Sequence, residues 1–328
     1  MNKLMTFLLT GLLAAALFLS SGCQRKELLD PHDHYNLIIK ANFDSLALSQ
    51  LLSHKSDGYT QPGEPKSTKY VIFEKTTQRV AYKGSFKGLQ GGVYLQEGIY
   101  DLLLYTSDFN EYDANFFRGM DKKETAETYT RQTEMPEGSS RSDVTEMYIV
   151  EPDPTFSVLH EEIIVLEGQE DQLLEVEFVQ KSFKYFLTIK AIGLHQIHTA
   201  TLNISGMNTS AFLTHDEHRM NEAGTQTVDL QIIKSRNPEA DLGAGELYGE
   251  FWSFGPNQRE DIYHSITLHF INGDKITMKL KEDLTSQIKA LTRGGEIIVH
   301  ETVEIKGPAG GFDPIVGDWN DTNVDLEL

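Results

Sequence analysis

The chain has 328 residues and a single cysteine, and its 49 Asp and Glu side chains outnumber 29 Lys and Arg for a formal net charge of −20. A surface of that sign repels phosphate backbones and argues against nucleic acid as a partner, and one cysteine leaves no internal disulfide framework and no cysteine-built metal site. The length suffices for two ordinary domains, each with a buried core.

An uncharged apolar run, Leu4 to Leu19, follows Lys3 and ends in Ser20-Ser21-Gly22-Cys23. It is short for a membrane span and finishes in small residues, as an export leader does. The placement of Cys23 directly after Ser-Ser-Gly resembles a bacterial lipobox, in which residues 1–22 are removed and Cys23 carries the acyl chains. The alternative is a plain secretory leader with a chance cysteine. No later segment approaches the ~18 apolar residues of a span, so the lipid would be the membrane attachment.

Residues 23–34 read as a charged tether, Gln24-Arg25-Lys26-Glu27 and then Asp30-Pro31-His32-Asp33-His34. His32 and His34 lack a third ligand at a defined spacing, so a turn is the reading there. A strand is expected over Tyr35–Phe43, with Tyr35, Leu37, Ile39 and Ala41 on one face, then a short helix over Ser45–Leu52 and a polar loop to Thr68. Tyr70–Phe73 and Val80–Tyr82 form a hairpin pattern, and further strands are expected at Gly91–Leu95 and Ile99–Tyr105. Turns every 8–12 residues point to an antiparallel sandwich. Residues 107–145 are polar and weakly periodic, which marks a functional or mobile insertion. Strand patterns return at Glu146–Val150, His160–Leu166 and Leu173–Val179.

A tight boundary is placed at Gln180-Lys181, giving domains 35–180 and 181–328. Beyond it, strands are expected at Phe183–Ile192, Thr199–Ser205, Gln226–Ile233 and Glu246–Phe254. A hairpin spans Ile262–Ile271 and Lys275–Leu280 around Asn272-Gly273, which supplies the positive φ values of a tight turn. Asp283 is the expected N-cap of a helix over Leu284–Leu291, and strand Ile297–Ile305 follows. The fold class is all-β, two tandem Greek-key sandwiches with one or two short helices.

Chemical motifs are few. His215-Asp216-Glu217-His218 is not H-E-x-x-H, His195 and His198 only flank a turn, and Asp318, Asn320 and Thr322 lack the remainder of a calcium loop. Glu161 and Glu162 are adjacent on a strand and are expected to face opposite ways, so they do not form a carboxylate pair. The chain is therefore read as a non-enzyme without a cofactor or metal. Phe251-Trp252-Ser253-Phe254 and Asn115-Phe116-Phe117 fit core strands, with stacking on a sugar ring as the functional alternative, Trp252 being the glycan-contact candidate.

Together the lipobox, the first strand with Asn42-Phe43-Asp44, the two all-β halves, Asp283-Leu284-Thr285 and the tail Gly310-Gly311-Phe312, Asp318-Trp319 and Val324–Leu328 resemble the fimbrillin-like surface lipoproteins of Bacteroidales, which include anchoring minor subunits of type V pili. The resemblance implies transthyretin-like sandwiches on a lipid anchor in the outer membrane, surface-exposed, with pilus subunits or other surface proteins as partners. In polymerising members a protease cuts after Arg or Lys in the loop following the first strand, and a neighbour's strand replaces it. Here that loop offers Lys55, Lys66 and Lys69 but no Arg, which favours an uncleaved anchor or accessory subunit. The resemblance also implies a surface-export signal at Gln24–Glu27 and O-glycosylation at Ser45. The second functional reading is a glycan-binding lipoprotein.

Overall fold

The structure is a computed structural model and describes residues 35–44, 65–109, 114–133, 147–167, 171–215, 222–234 and 243–305. The helix expected over Ser45–Leu52, the leader, the tether and the tail lie outside these residues.

The first half opens with β1 (Leu37–Phe43), β2 (Ser67–Glu74), β3 (Val80–Lys87), β4 (Gln90–Val93) and β5 (Gly98–Thr106). An insertion carries β6 (Asn115–Arg118), β7 (Glu127–Thr130), β8 (Gln132–Thr133) and β9 (Tyr148–Ile149) before β10 (Phe156–Val165) and β11 (Gln172–Gln180) complete the sandwich. The second half contains β12 (Phe183–Ile192), β13 (Ile197–Asn208), β14 (Ser210–Phe212), β15 (Ala223–Lys234), β16 (Gly245–Ser253), β17 (His264–Phe270), β18 (Lys275–Lys279), helix α1 (Thr285–Ala290) and β19 (Gly295–Glu304). The all-β class and the tandem sandwiches expected from patterning are what the structure shows.

Strand order in the first half is β3-β2-β5-β10-β11-β1-β4 and in the second β18-β17-β13-β15-β16-β12-β19. With β14 and the insertion strands β6 to β9 left aside, numbering the seven remaining strands of each half in chain order as a to g shows that both halves contain a layer f-e-b-c facing a layer d-a-g. In each, strand a is antiparallel to d and parallel to g. The halves differ only in the corner that joins the layers, β10 to β11 in the first and β15 to β16 in the second. This internal repeat left no trace in the residue pattern, because each layer needs only alternation, which many sequences satisfy.

The alternation itself explains the strands. In β11 Leu174, Val176 and Phe178 are buried between exposed glutamates, and across the layer Leu37, Ile39 and Ala41 of β1 join the same core. Strand β5 is buried on both faces. Its Tyr100, Leu102 and Leu104 enter the first core, while Leu103 and Tyr105 point outward under the insertion. The second core gathers Tyr185, Leu187 and Ile189 of β12 with Leu202, Phe251, Ile266 and Ile297. Ile288 of α1 and Leu284 before it also enter this core.

Two local expectations change. The hairpin between β17 and β18 has only Gly273 in the left-handed region, with φ of 94°. Gly273 N–H donates to Phe270 O and Phe270 N–H to Asp274 O, so the loop has three residues closed by a glycine bulge, not a two-residue turn with two positive φ values. Helix α1 begins after Leu284; Asp283 Oδ1 nevertheless accepts the Thr285 N–H at 2.9 Å.

Because Ile39 is fully buried and Lys40 beside it is exposed in an ion pair with Glu175, substitutions in β1 should separate cleanly. Ile39→Ala should lower the free energy of unfolding by about 2–5 kcal/mol, and Lys40→Ala by no more than about 1 kcal/mol, in urea titrations followed by circular dichroism.

Candidate functional site at the poles and junction

Two parallel pairings give the molecule a direction. Strand β11 runs toward the junction and ends at Gln180, and β1 lies parallel to it from Leu37↔Gln172 to Phe43↔Phe178. The chain therefore enters β1 at the pole farthest from the junction. Strand β12 runs away from the junction, and β19 lies parallel to it from Tyr185↔Gly295 to Ile192↔Glu304. The chain therefore leaves β19 at the opposite pole, where Ile305 N–H donates to Ile192 O at 2.8 Å. At ~3.3 Å per residue, β11 and β12 each carry the chain about 30 Å from the crossing to their own pole.

Strand β1 is integral to its sandwich, held by β11 on one side and β4 on the other. On β4, an added Cβ on Gly92 would stand 2.3 Å from the Tyr35 ring, and one on Gly91 equally close to the Phe86 ring. Aromatic rings thus replace side chains on this short edge strand. The other edges are guarded as well: β3 and β18 present lysines, including Lys83, Lys87, Lys275 and Lys279. On β19, Ile298 N–H donates to Gln287 Oε1 at 3.1 Å and His300 N–H to Glu282 Oε2 at 2.7 Å. Those two edge amides are already occupied.

At the junction, the insertion expected to be functional or mobile instead acts, in its described part, as an arm that welds the halves. Strand β7 pairs with β14 and β9 with β15, both strands of the second half. Phe117, Met120 and Ala126 of the arm, with Leu213 from the second half, cover Val71, Phe73, Leu103 and Tyr105. The Arg118 guanidinium donates to Glu127 at 2.6 Å and to Glu222 at 2.7 Å, while Ser210 Oγ donates to the other oxygen of buried Glu127. Hydrogen bonding to Glu127 raises the Arg118 pKa, so the charge is permanent. The two-residue crossing is fixed by Lys181 and Ser182 N–H groups that both donate to Thr155 O.

A second ionic cluster ties the arm to the first sandwich. Fully buried Asp101 accepts from Lys123 at 2.8 Å, from Lys75 at 3.1 Å and from the Glu162 backbone N–H at 3.1 Å. Lys123 also holds Glu161 at 2.8 Å, and Lys75 lies 3.9 Å from Glu162. The expectation that Glu161 and Glu162 face apart is overturned here: the ladder breaks between His160 and Ile163, Glu162 takes φ of 64°, and both carboxylates meet the same cluster. Burial alone would raise the Asp101 pKa; the hydrogen bonds from Lys123, the Glu162 amide and Lys75 outweigh it and hold the carboxyl below its ordinary value. The lysines bridge buried Asp101 to Glu161 and Glu162, so the arrangement fastens the arm to β5 and to the bulge in β10.

Beside the crossing lies a cleft of about 300 Å³ lined by residues that include Lys181, Phe212, His215, Phe254, Gln258 and Arg293. The His215 ring stacks on Phe212 with centroids 4.3 Å apart. Trp252 is partly buried and packs against the first sandwich's core, its backbone N–H donating to Glu151 Oε1 and its backbone carbonyl accepting from Gln226 Nε2. The Phe116 ring lies tilted against Tyr129 on the arm, with centroids 5.6 Å apart.

Cys23, Ser45 and Lys55 lie outside the described residues, as do Asp216 to His218. Lys66 and Lys69 are not in a free loop: Lys66 N–H donates to Asp108 O and its carbonyl accepts from Gly88, and Lys69 is inside β2. Among the described residues no three His, Cys, Asp or Glu side chains are grouped to hold a metal, and no helix is long and apolar enough to cross a membrane.

A family model described as "Domain of unknown function (DUF5119)" matches residues 22–229. A candidate adhesin from Bacteroides ovatus has a similar fold, with a TM-score of 0.52 at 16% identity over 88% of this chain and 98% of that one. The fimbrial anchor protein Mfa2 from Porphyromonas gingivalis is similar at a TM-score of 0.43 and 10% identity, covering 82% of this chain and 90% of that one. A Bacteroides thetaiotaomicron structure described as a candidate polysaccharide-binding protein gives 0.45 and 9%, over 83% and 91%. None of the curated proteins matches the chain.

Asp101 gives the arm a pH dependence. With its folded pKa below the unfolded value near ~3.9, its contribution is complete above that value and lost as pH falls through the folded one. Asp101→Asn should cost about 3 kcal/mol at pH 7, and the gap between variant and wild type should close as the pH falls below about 4, read from urea midpoints across pH.

Proposed function

The chain belongs to the family described as a domain of unknown function (DUF5119), and from that premise we propose that it is a fimbrillin-like lipoprotein of the outer membrane that anchors or accompanies a pilus, or adheres, by protein contact. The observation that carries this reading is the opposite placement of the two poles. Chain entry, twelve residues from Cys23, is at one end, and the segment after Ile305 departs from the other. A lipid at Cys23 then holds the first sandwich at the membrane and presents the second outward.

The integral β1 supports the uncleaved form. Shedding it would strip Leu37, Ile39 and Ala41 from the first core, and with Lys66 and Lys69 tied into backbone pairing, Lys55 is the remaining basic residue for a cut. Domains 35–180 and 181–328 then act as one welded rod with two ends. Partner contact by strand pairing is proposed for the part of β19 beyond His300, toward the outward pole, since the Ile298 and His300 edge amides are already occupied.

A second reading is contact with a glycan at the junction, favoured by the incomplete burial of Trp252 and by the nearby aromatic-lined cleft. Glycan-array binding that disappears in Trp252→Ala, with the fold retained, would place this reading above the first.

For the anchored reading, intact mass of native material should show acyl chains on Cys23 and no residues 1–22, and Cys23→Ser should move the protein from the membrane to the soluble fraction. Cells expressing both should yield the protein together with pilus components. An unmodified Cys23, or repeated isolation free of any surface partner, would sink the proposal.

A further inference from the structure

Among the described residues, five of the eleven exposed large apolar side chains stand at a single end of the molecule. Tyr94 is 59% exposed, Ile99 45%, Ile164 53%, Leu166 59% and Leu173 58%. Register places them together at the entry pole. Ile99 and Ile164 are direct cross-strand partners, and Leu166 follows Val165, the partner of Gly98. Leu173 is paired with Ile38 at the start of β1, and Tyr94 follows Val93, the partner of Leu37. These side chains come from both layers and so form a rim around the end of the sandwich, not a stripe along one face.

The rim is also rigidly built. Asn36 joins the start of β1 to the β4–β5 connection, donating from Nδ2 to Leu95 O at 2.7 Å and accepting the Leu95 N–H at 2.8 Å. Gln172 N–H donates to Asn36 O, so β11 is tied at the same point. Apolar side chains on a braced end are kept in solvent without any local packing reason, and concentrated exposure of that kind marks a contact surface.

We propose that this rim seats on a lipid bilayer surface. The inference rests on the reading of Cys23 as acylated. Tyr35 is twelve residues along the chain from Cys23, a span that reaches at most about 40 Å when extended and less in any other form. An acylated Cys23 therefore holds this pole, where the chain enters the first sandwich, within about 40 Å of the membrane. Glu97, Glu167 and Asp171 are exposed among the apolar side chains, so the surface that fits is one of net-neutral, zwitterionic headgroups; anionic headgroups would repel it. Aliphatic and tyrosine side chains on a rim suit the boundary between headgroups and acyl chains. Seating would convert a flexible attachment into a fixed upright orientation of the rod, with the second sandwich pointing away from the membrane.

The test uses the full mature chain, acylated and reconstituted in phosphatidylcholine vesicles, compared with soluble Cys23→Ser protein by hydroxyl-radical footprinting. Modification of Tyr94, Ile99, Ile164, Leu166 and Leu173 should fall at least threefold on vesicles, while Ile233 and Ile271 at the other pole stay unchanged. The quadruple variant Ile99→Ser, Ile164→Ser, Leu166→Ser, Leu173→Ser, all exposed positions, should stay vesicle-bound through its acyl chains but lose the protection of Tyr94. Intact mass reads acylation separately. Missing acyl chains overturn the anchored reading and with it this contact; acyl chains present with the rim as reactive as Ile271 overturn the contact alone. Rim protection in the soluble protein with a doubled mass in light scattering would assign the surface to a second copy instead and overturn the bilayer.

Discussion

In each sandwich the first strand lies parallel to the last. Two parallel neighbours cannot be joined by a tight turn, so the rest of the half must be threaded between them before the ladder closes. In the first half β1 waits for β11, and in the second β12 waits for β19. That closure buries strands 135 residues apart in the first half and 110 to 112 apart in the second against each other, and it makes each terminal strand a structural member and not an appendage. It also sets direction: β11 ends and β12 begins at the crossing, so in each half the free end of the terminal strand points away from the junction.

The arm is the second constraint, and it depends on the first. The e-to-f connection of the first sandwich emerges at the junction because β5 runs toward it, whereas the corresponding connection in the second sandwich is the short hairpin at Gly273, at the outer pole. Only the inner connection has a neighbour to reach. Its partner is the b-to-c excursion of the second half, and the two meet as β7 and β14. Apolar cover over Leu103 and Tyr105 supplies the free energy, while the buried Glu127–Arg118 and Asp101–Lys123 pairs set the register, since a misplaced arm would leave carboxylates buried without a cation.

Much of the framework was legible beforehand. Phe183–Ile192 was read to the residue, and β11 and β1 follow the alternation of their sequences, because a half-buried strand writes its face into every second side chain. The arm was not legible. Glu127-Thr128-Tyr129-Thr130 is four residues of polar and aromatic character, and three of the four are buried only because the second half arrives to bury them. Glu161 and Glu162 were misjudged for a related reason: a bulge is decided by how two strands fit, and no residue-level signal announces a positive φ at a glutamate.

By itself the sequence determined the fold class, most strand positions, the absence of internal crosslinks and the candidate lipid site at Cys23, because these follow from local periodicity and residue chemistry. Which strands pair in parallel, that the halves repeat one arrangement, that the insertion is a clasp, and that exposed apolar side chains gather at the entry pole were decided only in three dimensions. Those properties depend on partners distant in the chain, and alternation along a strand specifies which face is buried without specifying what buries it.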